Sequence, residues 1–131
     1  IVPALLAQGH GTIGIVSSVA GYGGLPKALV YGASKAALIN FAETLYLDLA
    51  PRGLGVALIN PGFVRTPLTD RNAFPMPYLI SADEAATEIV AGLERGDFEI
   101  HFPRAFSRRL KLLRLLPYRW YFAIVRKATG V

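Results

Sequence analysis

Thr12-Ile13-Gly14-Ile15-Val16-Ser17-Ser18, followed after a glycine-rich loop by Tyr31-Gly32-Ala33-Ser34-Lys35, is the stretch on which the reading of this chain turns. Thr12 to Ser17 is a short β-branched run, suited to a central parallel strand buried on both faces. From Ala28 to about Leu49 the chain is helix-prone, and Pro51 with Gly53 marks the stop. Val56 to Asn60 is a second short strand, ended by Pro61-Gly62. A strand, a helix and a strand of these lengths make a βαβ unit, so the strands are parallel and the crossover right-handed. Ligands of such sheets sit beyond the C-terminal strand ends, where Ser17 and Ser18 fall.

The residues at that end carry chemistry. Tyr31 and Lys35 are four residues apart, one helical turn, so their side chains share a face. An ammonium beside a phenol favours the phenolate by opposite-charge attraction, which makes Tyr31 a candidate general acid/base. Ser18 lies thirteen residues before Tyr31, at the strand end, where a turn brings its hydroxyl toward the phenol to bind the same substrate oxygen. Ser17 is expected to make a strand-end hydrogen bond instead.

A Ser at a strand end, Tyr-x-x-x-Lys with small residues inside it, and the later Asn60-Pro61-Gly62-Phe63-Val64-Arg65-Thr66 together resemble the short-chain dehydrogenase/reductase family. The resemblance implies an α/β fold, the C-terminal part of a Rossmann-like doubly wound parallel sheet, and reversible hydride transfer between NAD or NADP and an alcohol/carbonyl pair. It gives Tyr31 the proton, Ser18 the substrate oxygen, and Lys35 both the phenol and the nicotinamide ribose. It places Pro61, Gly62, Val64 and Thr66 around the nicotinamide end of the cofactor, with backbone groups of Val64 on the carboxamide and the Thr66 hydroxyl beside it. The loop Ala20-Gly21-Tyr22-Gly23-Gly24-Leu25-Pro26 lines the substrate pocket in the family, so Tyr22 and Leu25 are substrate-contact candidates. Leu38, Phe41, Ala42, Leu45 and Leu49 form an apolar stripe on the long helix, which in the family pairs with a second subunit; a homo-oligomer is therefore implied.

Length and composition bound the rest. The chain has 131 residues, enough for one domain, and the family's subunits run to roughly twice that, so the chain reads as a C-terminal piece of a longer protein. On that reading its first helix, Ile1 to Gln8, begins upstream, and the family's phosphate-binding glycine loop and helical Asn lie before Ile1. The chain alone is then expected to be inactive and to expose a strand edge. Gly9-His10-Gly11-Thr12-Ile13-Gly14 matches G-x-G-x-x-G in letter, but a helix end precedes it and a strand follows, the reverse of what a pyrophosphate needs. Apolar residues at 53% and charged ones at 18% suit a buried α/β sheet and exclude a disordered chain. With no cysteine, disulfides, thiolate-bound zinc and thiol nucleophiles are excluded, and no metal site is expected. No apolar run reaches the length of a membrane span, which makes the cytoplasm the default compartment. Ser18, His10 and several acids raise a serine hydrolase, but no G-x-S-x-G elbow surrounds either serine.

Thr66 to Ile80, with Pro67, Pro75 and Pro77, reads as an irregular cover, the region that sets substrate choice in the family. Ser81-Ala82-Asp83-Glu84 is a capping box opening a helix to about Arg95. Phe98-Glu99-Ile100-His101-Phe102 alternates as a third strand with one wetter face, and His101 is expected on the surface. Residues 1–103 thus form the sheet portion and 104–131 a tail of the same domain. The net charge of +5 belongs to that tail: no acid follows Glu99, while Arg104, Arg108, Arg109, Lys111, Arg114, Arg119, Arg126 and Lys127 do. Interleaved with Phe106, Leu110, Leu113, Leu116, Tyr118, Trp120 and Phe122, these make a basic amphipathic segment, a candidate for contact with a membrane surface, for folding over the substrate cleft or for packing in an oligomer. No nucleic-acid recognition module is visible.

Overall fold

The computed structural model describes residues 1–67, 69 and 76–130. Chain order is helix α1 (Val2–Gln8), strand β1 (Thr12–Val16), a 3-10 turn (Val19–Gly21), helix α2 (Leu29–Leu49), a second 3-10 turn (Ala50–Arg52) and strand β2 (Gly55–Pro61). Helix α3 (Ala82–Glu94), strand β3 (Glu99–Phe102), helix α4 (Arg104–Arg114) and helix α5 (Tyr118–Thr129) complete it. The three strands form one parallel sheet in the order β1-β2-β3, with Val16 opposite Ile59 and Asn60 opposite His101. The expected βαβ unit is present.

Each element has a local cause. Gly9 ends α1, and Gly53 ends the second 3-10 turn, in the left-handed conformation that costs glycine least. The Ser81 hydroxyl accepts from the Glu84 amide while the Glu84 carboxylate accepts from the Ser81 amide, so the capping box is complete. β2 is central, and Val56, Ala57, Leu58 and Ile59 are all buried, as its continuous apolar run predicts. Burying each of the larger side chains contributes about 1.5–3 kcal/mol.

The core has two parts, one on each face of the sheet. On one, Leu49, Leu54 and Val56 pack with Leu5 and Leu6 of α1, Ile13 of β1 and Leu45 of α2. On the other, Ala57, Ile59, Ile100 and Phe102 pack against Ala85 and Ile89 of α3. This second layer stops short of β1. Thr12, Gly14 and Val16 are exposed, which corrects the expectation that β1 is buried on both faces: α1 and α2 cover only the Ile13 and Ile15 side. β1 is also an edge strand, and an unpaired strand edge offers its backbone groups to other chains.

The α2 stripe is narrower than its pattern suggested. Ala42 is fully buried and Leu49 nearly so, but Phe41 lies on the flank of the contact face and is half exposed. Leu29, Val30 and Leu47 are exposed as well, so α2 is apolar on more of its circumference than the sheet covers.

Candidate active site at the ends of the strands

The strand ends gather most of the residues picked out from the sequence. Ser17 is buried, and its hydroxyl donates to the backbone carbonyl of Lys35 at 2.8 Å. This fastens the end of β1 to the first turns of α2, the strand-end role expected of it. Ser18 is also buried; it caps the first 3-10 turn by accepting from the Ala20 amide at 3.2 Å and donates to the Pro61 carbonyl at 3.3 Å. Ser18 therefore stands between β1 and the Pro61-Gly62 loop.

Lys35 extends its ammonium to the Val16 carbonyl at 3.2 Å, and its Nζ lies 5.6 Å from the centre of the Tyr31 ring. The expected pair thus sits at the strand end, with two ammonium donors left over. The Tyr31 side chain is 54% exposed, open to an incoming molecule. Glycine at position 21 lets α2 come this close, while a Cβ at position 32 would make only an ordinary contact. A Cβ on Gly32 would meet the Ala20 carbonyl at 3.4 Å. A Cβ on Gly21 would lie 2.7 Å from the Lys35 carbonyl carbon and 2.9 Å from the Ala36 amide nitrogen, both backbone. Gly21→Ala is therefore expected to push the turn after Ser18 off α2, costing about 1–3 kcal/mol in chemical denaturation. An unchanged midpoint would show that the two elements do not bear on each other there.

The loop after β2 is held at both ends. Val64 bridges Ile80 as a parallel pair, and the Arg65 amide donates to the Ile80 carbonyl at 2.8 Å. The Thr66 amide donates to the Thr69 hydroxyl at 2.8 Å, and that hydroxyl donates to the Val64 carbonyl at 2.8 Å. Much of the expected cover segment, Leu68 and Asp70 to Pro75, lies outside the described residues. The donors here, the Lys35 ammonium, the Tyr31 phenol and the Thr66 hydroxyl, suit the ribose hydroxyls and carboxamide at the nicotinamide end of a dinucleotide. Gly9-His10-Gly11-Thr12-Ile13-Gly14 runs from the end of α1 into β1, so no helix N-terminus meets an anion there.

The sequence did not announce a polar cluster beside this site. Glu99 of β3 accepts from the Tyr22 hydroxyl at 2.7 Å and from Asn60 Nδ2 at 2.9 Å through one oxygen, and pairs with Lys111 of α4 through the other. The Lys111 ammonium also lies 5.4 Å from the centre of the Tyr22 ring. Asn60 is 0% exposed, and its Oδ1 has no partner among the described residues. Tyr121 of α5 donates to the Gly24 carbonyl at 2.9 Å, and a Cβ on Gly23 would meet its hydroxyl at 2.6 Å. The tail helices therefore clamp the loop that holds Tyr22. Tyr22 commits its hydroxyl to Glu99 and its ring to Lys111, while Leu25 is partly buried in the same loop. The available signal was Glu99 itself, the last acid before an acid-free basic tail.

Burial works against the charge on Glu99, but hydrogen bonds from Lys111, Tyr22 and Asn60 outweigh it and hold the carboxyl below its ordinary range. Burial, then the adjacent carboxylate, pushes the Tyr22 phenol far up. His101 is not the surface residue expected: it is half-buried, with Nδ1 2.6 Å from the Ser107 hydroxyl. Burial, and then the charge of Lys111, lowers its affinity for a proton. The downward shifts of Glu99 and His101 have one sign for stability. The unfolded chain binds protons more readily than the folded one, so stability falls on acidification. The His101 contribution is complete above the ordinary value of 6.5 and is lost as pH falls from there through the lower folded value. The Glu99 contribution is lost below 4.5. Urea midpoints are expected to decline in two steps from pH 8 to pH 3, and His101→Gln to remove the upper one. A flat midpoint between pH 7 and 5 would contradict this.

Comparison with known proteins follows the same outline. The family model for short chain dehydrogenases matches residues 1–74. An uncharacterised oxidoreductase of Myxococcus xanthus is 37% identical over 127 residues, 97% of this chain and 50% of that protein. The 11-beta-hydroxysteroid dehydrogenase-like 4A of Arabidopsis thaliana is 37% identical over 98 residues, 70% of this chain and 32% of that protein. A short chain dehydrogenase from Burkholderia cenocepacia, solved in complex with NADP, superposes with a TM-score of 0.80 at 30% identity, over 95% of this chain and 50% of its own. One from Burkholderia phymatum, solved with NAD, gives 0.72 at 27% identity, over 85% of this chain and 50% of its own. The chain thus spans about half the length, or less, of these proteins.

Proposed function

This chain belongs to the short-chain dehydrogenase/reductase family, and on that premise we propose that it supplies the catalytic half of an NAD(P)-dependent oxidoreductase acting on a small alcohol/carbonyl pair. The observation that carries the reading is the placement of Lys35, whose ammonium is tied to the Val16 carbonyl at 3.2 Å and stands 5.6 Å from the Tyr31 ring at the end of β1. When bound, a nicotinamide cofactor supplies the hydride.

The residues of the chain do the remainder. Tyr31, more than half exposed, passes its hydroxyl proton to the substrate oxygen in reduction and takes it back in oxidation. The Lys35 ammonium stands beside the Tyr31 ring and uses its free donors on the nicotinamide ribose. Ser18 turns its hydroxyl from the long bond to the Pro61 carbonyl toward the substrate oxygen, where developing charge strengthens the new bond. Pro61, Gly62, Val64 and Thr66 flank the carboxamide, and Tyr22 with Leu25 borders the substrate. The exposed apolar side of α2, with Leu29, Val30 and Leu47, is the face through which a homo-oligomer would form.

The test is spectrophotometric. A protein joining this chain to a phosphate-binding half is expected to oxidise NADH or NADPH when a carbonyl compound is present, and the 131-residue chain alone is expected not to. Cofactor binding without turnover on any of a broad panel of aldehydes and ketones would overturn the activity. Turnover by the chain alone would overturn the division of labour.

A further inference from the structure

We propose that the turn between α4 and α5 is a docking surface for an anionic lipid bilayer, which it enters from the side without crossing. The inference is independent of the reading of the catalytic half. It begins with exposure: Leu112, Leu115, Leu116, Tyr118, Trp120 and Phe122 are exposed around Pro117, with Leu115 at 80% and Trp120 at 59%. Six large apolar side chains within eleven residues, on the facing ends of two helices packed on their other sides and on the turn between them, are costly to leave in water. Ser107 of α4, and Tyr121 and Val125 of α5, are buried against the rest of the molecule, so the apolar rim is not their unfilled packing face.

Charge selects the occupant. No acid follows Glu99, and among the described residues only Lys111 of the tail cations forms an ion pair. Arg114, Arg119, Arg126 and Lys127 therefore keep their charge for an outside partner. Two of them lie on the exposed aromatics: the guanidinium of Arg114 is 5.4 Å from the Tyr118 ring centre, and that of Arg119 is 5.9 Å from the Trp120 ring centre. Aromatic rings at the acyl boundary, with guanidinium groups on them at phosphate level, suit the headgroup layer. A protein partner of matching shape would need an acidic rim around an apolar centre, whereas an anionic bilayer presents both by its nature. Among the described residues no helix is long and apolar enough to cross a membrane, so the contact is peripheral.

Trp120 is the chain's single tryptophan, which makes the contact directly readable. The chain is titrated with vesicles of phosphatidylcholine alone or with about one-third phosphatidylglycerol, following Trp120 emission and vesicle co-sedimentation. The expected result is binding to the anionic vesicles, a blue shift of emission, and at least a tenfold weaker affinity at high salt. Arg119→Gln with Arg126→Gln should weaken binding on the order of 25-fold, since each cation near an anionic surface is worth about fivefold. Leu115→Asp, at a position fully outside the core, should abolish the blue shift while circular dichroism stays unchanged. Equal binding to both vesicle types, or none to either, would overturn the proposal. So would a blue shift that depends on protein concentration without lipid, which would make the occupant a second copy of the chain.

Discussion

Replacing Tyr31 by Phe is expected to lower kcat/KM by about 10²–10⁴-fold in an enzyme that contains this chain, with cofactor affinity and stability nearly unchanged. The substitution removes one oxygen from a residue that is more than half exposed and whose hydroxyl makes no hydrogen bond among the described residues. Stability should therefore move by no more than about 0.5 kcal/mol, the range of an ordinary surface change. The Lys35 ammonium keeps its bond to the Val16 carbonyl and so keeps the position from which we propose it meets the ribose. The effect should fall on kcat, because the proton reaches the substrate oxygen only as the hydride does. A Tyr31→Phe enzyme within threefold of the parent would remove Tyr31 from the chemistry.

Glu99→Ala is expected to destabilise the chain by about 2–4 kcal/mol in chemical denaturation, more than any other charge removal here. Two groups lose an acceptor at once: the Tyr22 hydroxyl and the Nδ2 of Asn60, which is fully buried. Lys111 of α4 loses its ion partner as well. Asn60 already carries an unpartnered Oδ1, so the variant would leave both ends of one buried amide unsatisfied. Glu99→Gln keeps one oxygen to accept from Tyr22 and Asn60 but loses the charge and sets an amide NH2 against the Lys111 ammonium, and should cost about 1–2 kcal/mol. A loss below about 0.5 kcal/mol for Glu99→Ala would mean that the tail is not fastened to the substrate loop through this carboxylate.

The backbone was legible because its signals are local. A β-branched run, a helix-prone segment stopped by Pro51 and Gly53 and a second apolar run give the parallel unit of β1, α2 and β2 directly. The Ser81-Glu84 box lies within one turn, and Tyr31 with Lys35 share a face by spacing alone. The Glu99 cluster was not legible. Its members come from a loop, two strands and a helix, with Glu99 39 residues from Asn60 and 77 from Tyr22, and no periodicity links positions so far apart. Alternation correctly put Glu99 and His101 on the wetter face of β3. It could not show that α4 turns back over that face and half buries His101 against Ser107. The open side of β1 has a related cause. A strand pattern says that a residue can be buried, but whether a layer reaches it depends on where α3 ends up, over β2 and β3 and not over β1.

The central claim, that Ser18, Tyr31 and Lys35 serve hydride transfer to a carbonyl, is tested most directly by following isotope. An enzyme containing this chain is supplied with reduced nicotinamide cofactor bearing deuterium at C4 of the nicotinamide, together with a ketone. The prediction is that, with cofactor deuterated on the transferred face, deuterium appears on the carbinol carbon of the product alcohol, in stoichiometric amount, and that Tyr31→Phe slows its appearance by at least a hundredfold. Product alcohol without deuterium from cofactor labelled on either face, or transfer at an undiminished rate in Tyr31→Phe, would contradict the account.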